Sequence, residues 1–293
     1  MPLEIFVPFW GDPELLRETV ESVLSQTSDD WTLTVLDDAY PDASVAAYFA
    51  TLDDARVRYV RNETNVGITA NYERCVAMAS QDVLMLLGCD DVLLPTFVET
   101  VLAAHATHPE AAIIQPGVQV IDERGSVRRT SADAMKQRLA PSGSEPTLLE
   151  GEELACSLLR GNWLYWPSLV FRTDVIQRTP FRPGLPIIQD LALVLDMVFA
   201  GESLLHVPAV CFSYRRHAAS ASAASVLDGS RFAGDRTYFS IAARSAMQHG
   251  WRRAARTARL RSTSRLHAVS LLPSALRRRP AAVGMLLHHA LRP

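Results

Sequence analysis

Val83-Leu84-Met85-Leu86-Leu87 is an unbroken apolar run, and Gly88-Cys89-Asp90-Asp91 closes it with two adjacent acids. So short a run, with no polar residue to mark a wet face, reads as a strand covered on both sides, as in a parallel sheet. The same pattern repeats outward from it. Glu4–Phe9, Trp31–Leu36 and Val57–Val60 read as earlier strands, and Ile113–Ile121 as a later one. Between them, Asp12-Pro13-Glu14 opens a helix to about Leu24 with proline at its first turn, and helices are predicted over Ile68–Ala79 and Pro95–His105. Strands alternating with helices predict an α/β fold with a mostly parallel, Rossmann-like sheet.

Beyond Ile121 the pattern breaks. Asp122–Thr147 is polar and carries Gly, Ser and Pro, which predicts a mobile excursion. Helical periodicity returns at Glu150–Leu159 and Asp190–Phe199, with strand-like Leu169–Arg172 and Val210–Tyr214 nearby, and the chain after Ala218–Ser225 reads as helical. At 293 residues, 48% hydrophobic and 21% charged, the chain is long and apolar enough to bury a large core. Its net charge of −3 hides an asymmetry: from Ser230 onward 13 arginines face one acid, Asp235, so a +12 tail follows a −15 body. The four cysteines stand singly, as reduced thiols do. Met1–Glu4 lacks a basic n-region, and no apolar run reaches the roughly 18–20 residues of a membrane span; a cytoplasmic location is expected.

Three polar clusters fall at strand carboxyl ends, where open α/β sheets bind ligands: Pro8-Phe9-Trp10, Asp37-Asp38 and Asp90-Asp91. Converging carboxylates repel by about 1–4 kcal/mol per close pair, and a bound cation relieves that repulsion. An oxygen-only set selects hard ions, Mg²⁺ or Mn²⁺, and a diphosphate is the substrate group that shares such an ion. Taken singly, Asp37 or Asp38 is a turn acid and Asp90-Asp91 a helix cap. Their joint placement after successive buried strands favours a site.

Val7-Pro8-Phe9-Trp10, then Glu21-Ser22-Val23-Leu24-Ser25-Gln26-Thr27, then Val35-Leu36-Asp37-Asp38 resembles the opening of the family 2 glycosyltransferases. Asn62-Glu63-Thr64-Asn65-Val66-Gly67, Asn71 and Leu87 through Pro95 continue the resemblance in order, over roughly residues 3–217. It implies a GT-A-type fold over 1–225, with a nucleotide-sugar-binding half at 1–121 and an acceptor half at 122–225. A basic helical C-terminal region, 226–293, is appended. It also implies an inverting transfer from a nucleotide-diphosphate sugar to a hydroxyl of a glycan or lipid-linked acceptor, as in cell-surface polysaccharide or glycolipid assembly.

Carried across residue by residue, the resemblance makes Asp38 an acceptor for the nucleobase, with Pro8 and Trp10 lining the base pocket. Asn65, Gly67, Asn71 and Asp91 join the nucleotide-sugar site. Asp90 takes the metal-binding last position of the Asp-x-Asp motif, whose first position is Gly88 here, and His217 is a second metal residue for Mg²⁺ or Mn²⁺. Gln189-Asp190 resembles the family's Glu-Asp pair, making Asp190 the general base; an N-cap aspartate is its plainer reading. Asn162, Trp163 and Trp166 are expected on a loop near donor sugar and acceptor, although both tryptophans also suit a core. Arg215 and Arg216 are either phosphate partners or a solvated pair.

The tail suggests peripheral attachment to an anionic membrane at its inner face, or packing on the body or a second copy. As a separable appendage it should be removable near Ser230 without loss of donor chemistry. Nucleic acid is not an expected partner. A sugar nucleotidyltransferase would need a Gly-rich loop with a nearby basic residue after the first strand, where Phe9-Trp10-Gly11-Asp12 stands. A dinucleotide oxidoreductase would need G-x-G-x-x-G, which is missing. The alternative from another class is a catalytically silent glycan-binding or scaffold protein, suggested by Gly88 and Gln189.

Overall fold

A computed structural model describes residues 2–185, 187–216, 230–278 and 280–291. The first half alternates as the apolar runs predict. Strand β1 (Leu3–Phe9) is followed by α1 (Pro13–Leu24), β2 (Trp31–Asp37), α2 (Ser44–Ala50), β3 (Val57–Arg61), α3 (Ile68–Met78) and β4 (Val83–Leu86). A two-residue β5 (Val92–Leu93), α4 (Phe97–Thr107) and β6 (Ala111–Ile121) complete that half. Asp12 caps α1 by accepting the Glu14 N–H, and Pro13 occupies the first turn, where a missing N–H goes unfelt. Every residue of β4 is buried, because helices cover both faces of the sheet at that strand.

The second half carries α5 (Ser131–Leu139), β7 (Thr147–Leu149), α6 (Gly151–Arg160), β8 (Val170–Arg172), α7 (Thr173–Arg178), α8 (Gln189–Phe199) and β9 (Ser203–Arg215). The strands form one sheet in the order β3-β2-β1-β4-β8-β6-β9-β5, with β7 also on β9. The long pairings, β1 with β2, β2 with β3, and β6 with β9, are parallel. The short strand β8 runs antiparallel between β4 and β6, so the sheet is mixed at its centre. Register puts Phe9 opposite Asp37 and Phe6 opposite Leu86, which aligns the carboxyl ends of β2, β1 and β4 along one edge.

Two stretches differ from the sequence expectation. Asp122–Thr147, expected to be irregular and mobile, holds a tight turn and a helix. Asp122 Oδ1 accepts the N–H groups of Arg124 and Ser126, and the Thr130 hydroxyl caps α5 by accepting the Asp133 N–H. The buried Asp133 then ties α5 down through Arg216, at 2.7 and 3.1 Å, and through the Tyr165 hydroxyl. Burial alone would push the Asp133 carboxyl up, but these partners outweigh it and hold it below the usual range.

The second difference is that the tail, helical as expected, is not separable; its helices are α9 (Ser230–Gln248), α10 (Arg252–Leu260), α11 (Ser262–Arg278) and α12 (Pro280–Leu291). It shares the core of the body. Tyr238, Phe239, Ala242 and Ala246 of α9 and Ala254, Ala255 and Ala258 of α10 join the apolar cluster built on α6 and α8. The Tyr238 hydroxyl donates to the Ala192 carbonyl at 3.1 Å, and Glu152 on α6 accepts the N–H groups of Arg253 and Ala254 at the start of α10.

Helices α9, α11 and α12 meet at the buried His289. Its Nδ1 lies 3.2 Å from Arg236 and its Nε2 2.9 Å from the Ser264 hydroxyl, which donates onward to Asp235. Arginine can only donate, so Nδ1 accepts and Nε2 carries the proton. Burial, with Arg261, Arg236 and Arg265 close by, lowers the imidazole from 6.5 to about 4. Between these values the unfolded chain binds a proton that the folded one refuses, so stability is lost as pH falls through that window. The loss reaches about 3 kcal/mol at most. Melting temperatures at pH 7 and pH 4.5 should therefore differ more in the wild type than in His289→Gln; equal differences would remove His289 from the acid response.

Candidate active site

The edge made by β2, β1 and β4 begins with an aromatic step. Trp10 is 52% exposed at the end of β1 and meets Tyr40 edge-on, with 5.3 Å between ring centroids. Pro8 lies half-buried beside it. Asp38 sits beneath, and its buried carboxylate accepts from Asn62 Nδ2 at 2.8 Å, Val66 N–H at 2.8 Å and Gly67 N–H at 2.9 Å. Three protein donors thus hold the oxygens that sequence reasoning assigned to a nucleobase, and in this structure Asp38 anchors the 62–67 loop. Asn65 accepts the Gly67 N–H across the same turn. Gly67 has φ +84° and ψ 161°, a region only glycine enters without strain. Asn71 is buried one layer lower, donating to the Leu36 carbonyl and accepting from Asn62. It supports Asp38 from behind.

The acidic loop after β4 is held by the residues that carry the family resemblance. Thr19 donates to the Asp91 carbonyl at 2.8 Å, and the Ser22 hydroxyl accepts the Leu93 N–H. The Gln26 amide donates to the Leu94 carbonyl and accepts the Val98 N–H, while the Thr27 N–H donates to the Pro95 carbonyl. The Ser-Gln-Thr signature, in the last turn of α1 and just beyond it, is therefore a staple for residues 91–98. From the other side comes Arg215, buried at the end of β9. Its side chain donates to the Asp90 carbonyl at 2.7 Å, Glu18 at 2.5 Å and the Glu123 carbonyl at 3.2 Å, and its N–H donates to Asp91 Oδ1 at 2.8 Å.

Sequence reasoning missed this clamp, because Arg215 and Asp91 are 124 residues apart. It corrects the phosphate reading of Arg215, as the pairing with Asp133 does for Arg216. Asp91 is likewise corrected: it is 1% exposed and lies behind the floor of the site, where it cannot reach a donor sugar.

Asp91 Oδ2 is buried and has no hydrogen-bond partner. Burial, and then the charge of Asp90, push this carboxyl well above the usual carboxylate range. A Cβ at Gly88 would lie 2.4 Å from Asp91 Oδ2 and 3.3 Å from Asp90 Oδ1, so both carboxylates border the gap that the glycine leaves. The missing first acid of Asp-x-Asp is thus accounted for sterically: with Asp91 in this rotamer, residue 88 has no room for a side chain. With Asp91 turned inward, Asp90 is the carboxylate that would meet a hard divalent cation taking its other ligands from phosphate and water. Among the described residues no group of three or more His, Cys, Asp or Glu gathers, and His217 lies outside the described residues.

Asp190 lies in the first turn of α8, whose N-cap is Ile188 without a side-chain cap bond. The helix-cap reading of Asp190 therefore fails. Asn162 Nδ2 approaches Asp190 at 3.5 Å, and the preceding Gln189 is buried with its Oε1 accepting from Thr69. A neutral amide there avoids burying a second carboxylate beside Asp190. Burial, then the charge of Asp91, raises the Tyr214 phenol; Arg216 opposes this, and Asp90 and Asp190 add to it.

Beside Asp190 opens a cavity of about 1130 Å³, lined by Asn162, Trp166 and Tyr214 and, from the tail, by Thr263 and Leu266. Trp166 shows one side to this cavity and packs the other on Tyr72 and Phe171. Trp163 is a correction: it is buried in the core, and its indole N–H donates to Ser157.

A family profile described as Glycosyl transferase family 2 matches residues 4–165. The "Putative glycosyltransferase EpsE" of Bacillus subtilis (strain 168) is 30% identical over 149 residues, 50% of this chain and 51% of that protein. The "Putative colanic acid biosynthesis glycosyl transferase WcaA" of Escherichia coli (strain K12) is 26% identical over 102 residues, 34% of this chain and 37% of that protein. The chain thus spans about half the length of the first of these relatives, and less of the second. Among solved structures, S. aureus TarS 1–349 in complex with UDP-GlcNAc superposes with TM-score 0.69 at 12% identity, covering 99% of this chain and 82% of that one. At that identity the likeness is one of fold.

Proposed function

The chain belongs to glycosyltransferase family 2, and on that premise we propose that it moves a sugar, with inversion, from a nucleoside diphosphate to a hydroxyl of a glycan or lipid-linked acceptor. The carrying observation is the convergence of the two halves at the end of β9, where Arg215 clamps the Asp90-Asp91 loop and the cavity lined by Asp190 and Tyr214 opens. Trp10, Pro8 and the 62–67 loop receive the nucleotide on one side of that convergence. The acceptor enters on the other, past Asn162 and Trp166. Asp190 takes the acceptor hydroxyl's proton as that oxygen attacks the anomeric carbon; the bond to the diphosphate breaks, and the nucleotide leaves. A divalent cation at Asp90, Mg²⁺ or Mn²⁺, supplies positive charge to the departing phosphates when bound. The colanic acid name carried by one relative and the UDP-GlcNAc held by one neighbour make polysaccharide assembly and a uridine donor the readings to test first. Gly88 and Gln189, which suggested a silent scaffold, both have local steric or solvation reasons, so catalysis is the better reading.

Thermal shift with UDP and Mn²⁺ tests the donor side. Ligand at about 100 times its Kd adds about 2.7 kcal/mol of stability. In Asp90→Asn that shift is expected to vanish while the ligand-free protein still melts cooperatively, because the Arg215 bond to the backbone carbonyl of residue 90 survives the substitution. A variant that still shifts as the wild type does would take the metal away from Asp90.

A further inference from the structure

The cavity beside Asp190 is walled on its far side by α11, whose Leu266, His267 and Ser270 reach the lining. The same helix exposes Leu266, Val269 and Leu276 by 66%, 48% and 62%, with Pro273 exposed between them. Positions 266, 269, 273 and 276 fall on one helical face, so an apolar stripe starts at the cavity and runs away along the surface. On α12, Leu287 and Leu291 are exposed as well. Single exposed leucines are ordinary; a stripe along one helix marks a surface that something covers.

Charge indicates what covers it. Residues 262–293 contain five arginines and no acid. Arg277 is exposed at the end of the stripe, and the preceding helix α10 exposes Arg252, Arg253, Arg256 and Arg259 opposite its buried alanines. An apolar stripe ending at an exposed arginine, on a segment whose charged residues are all cationic, matches an anionic lipid surface. There the leucines enter the headgroup boundary and guanidinium groups meet phosphate. Among the described residues no helix is long and apolar enough to cross a membrane, so the contact is a surface one.

We propose that α11 docks this protein on an anionic membrane surface and sets the cavity beside Asp190 at the lipid boundary. This rests on reading that cavity as the acceptor site, and it favours an acceptor presented from the membrane.

Co-sedimentation of the full chain with vesicles of phosphatidylglycerol and phosphatidylcholine, against phosphatidylcholine alone, tests it. The comparison is the double variant Val269→Ser with Leu276→Ser, at two positions outside the cavity lining. The wild type is expected to bind the anionic vesicles, less so as salt rises, and to leave the zwitterionic ones largely in suspension. The double variant should bind about tenfold more weakly, with unchanged melting temperature and unchanged nucleotide-dependent thermal shift. A full chain that ignores anionic vesicles, or a variant that binds them equally well, overturns the proposal. So does a dimer in sedimentation velocity that the variant dissolves, since a second copy would then cover the stripe. The nucleotide shift reads the donor site without lipid: its absence in both proteins would count against the transferase reading, whereas lost vesicle binding with an intact shift concerns docking alone.

Discussion

Asp190→Asn is expected to lower turnover by about 10²–10⁴ while donor affinity stays within a few-fold. The geometry makes this a clean comparison. Asp190 does not cap α8, whose N-cap is Ile188, so the substitution removes no cap bond. What the helix loses is a favourable acid in its first turn, worth about 0.3–1 kcal/mol. Asparagine keeps the size but cannot hold the acceptor's proton. A residual rate should survive, because stabilisation of the leaving diphosphate does not depend on the base. Steady-state kinetics on a UDP-sugar, with UDP binding measured separately, checks this. Unchanged kcat would mean that the base lies elsewhere; a raised KM with normal kcat would move Asp190 into donor binding.

Ending the chain after residue 229 is expected to abolish the folded state, in contrast to what charge segregation suggests. Tyr238 and Phe239 are buried against the body, and their burial alone is worth about 1.5–3 kcal/mol each. The cut also removes Ala254, Ala255 and Ala258 from α6 and leaves Glu152 without the N–H groups it accepts. Against a total stability of about 5–15 kcal/mol, these losses are decisive. The truncated chain should be insoluble or melt without a cooperative transition. A soluble fragment with the full-length melting temperature would restore the appendage reading.

The reason this coupling was hidden lies in its composition. The inner faces of α9 and α10 are largely alanine, and alanine stripes carry little periodic signal beside conspicuous arginines. Buried apolar runs, by contrast, were readable to within a residue or two: β4 and α1 fall where Val83–Leu87 and Asp12-Pro13 put them. Helix α5 was missed although Thr130 and Asp133 stand at capping spacing, because the polar surroundings outweighed that signal. At the site, the acids at strand ends and Trp10 were legible one by one. The roles of Arg215, Asp91 and Asn71 were not, since each depends on partners brought close only by the sheet. Trp163 was ambiguous in sequence, and its indole hydrogen bond to Ser157 settles it as core.

The staple of α1 on residues 91–98 bears on the entropy of donor binding. Loops that cradle phosphates often order only when the ligand arrives, which weakens affinity by the freedom lost at that moment. Here Thr19, Ser22, Gln26 and Thr27 from one side and Arg215 from the other hold the backbone of the acidic loop in the ligand-free protein. That freedom is surrendered once, during folding. What is left for a nucleotide to immobilise is the rim: the exposed indole of Trp10 and the exposed Asn65 turn. A substitution in α1 that loosens the staple would therefore weaken donor binding through disorder in residues 91–98.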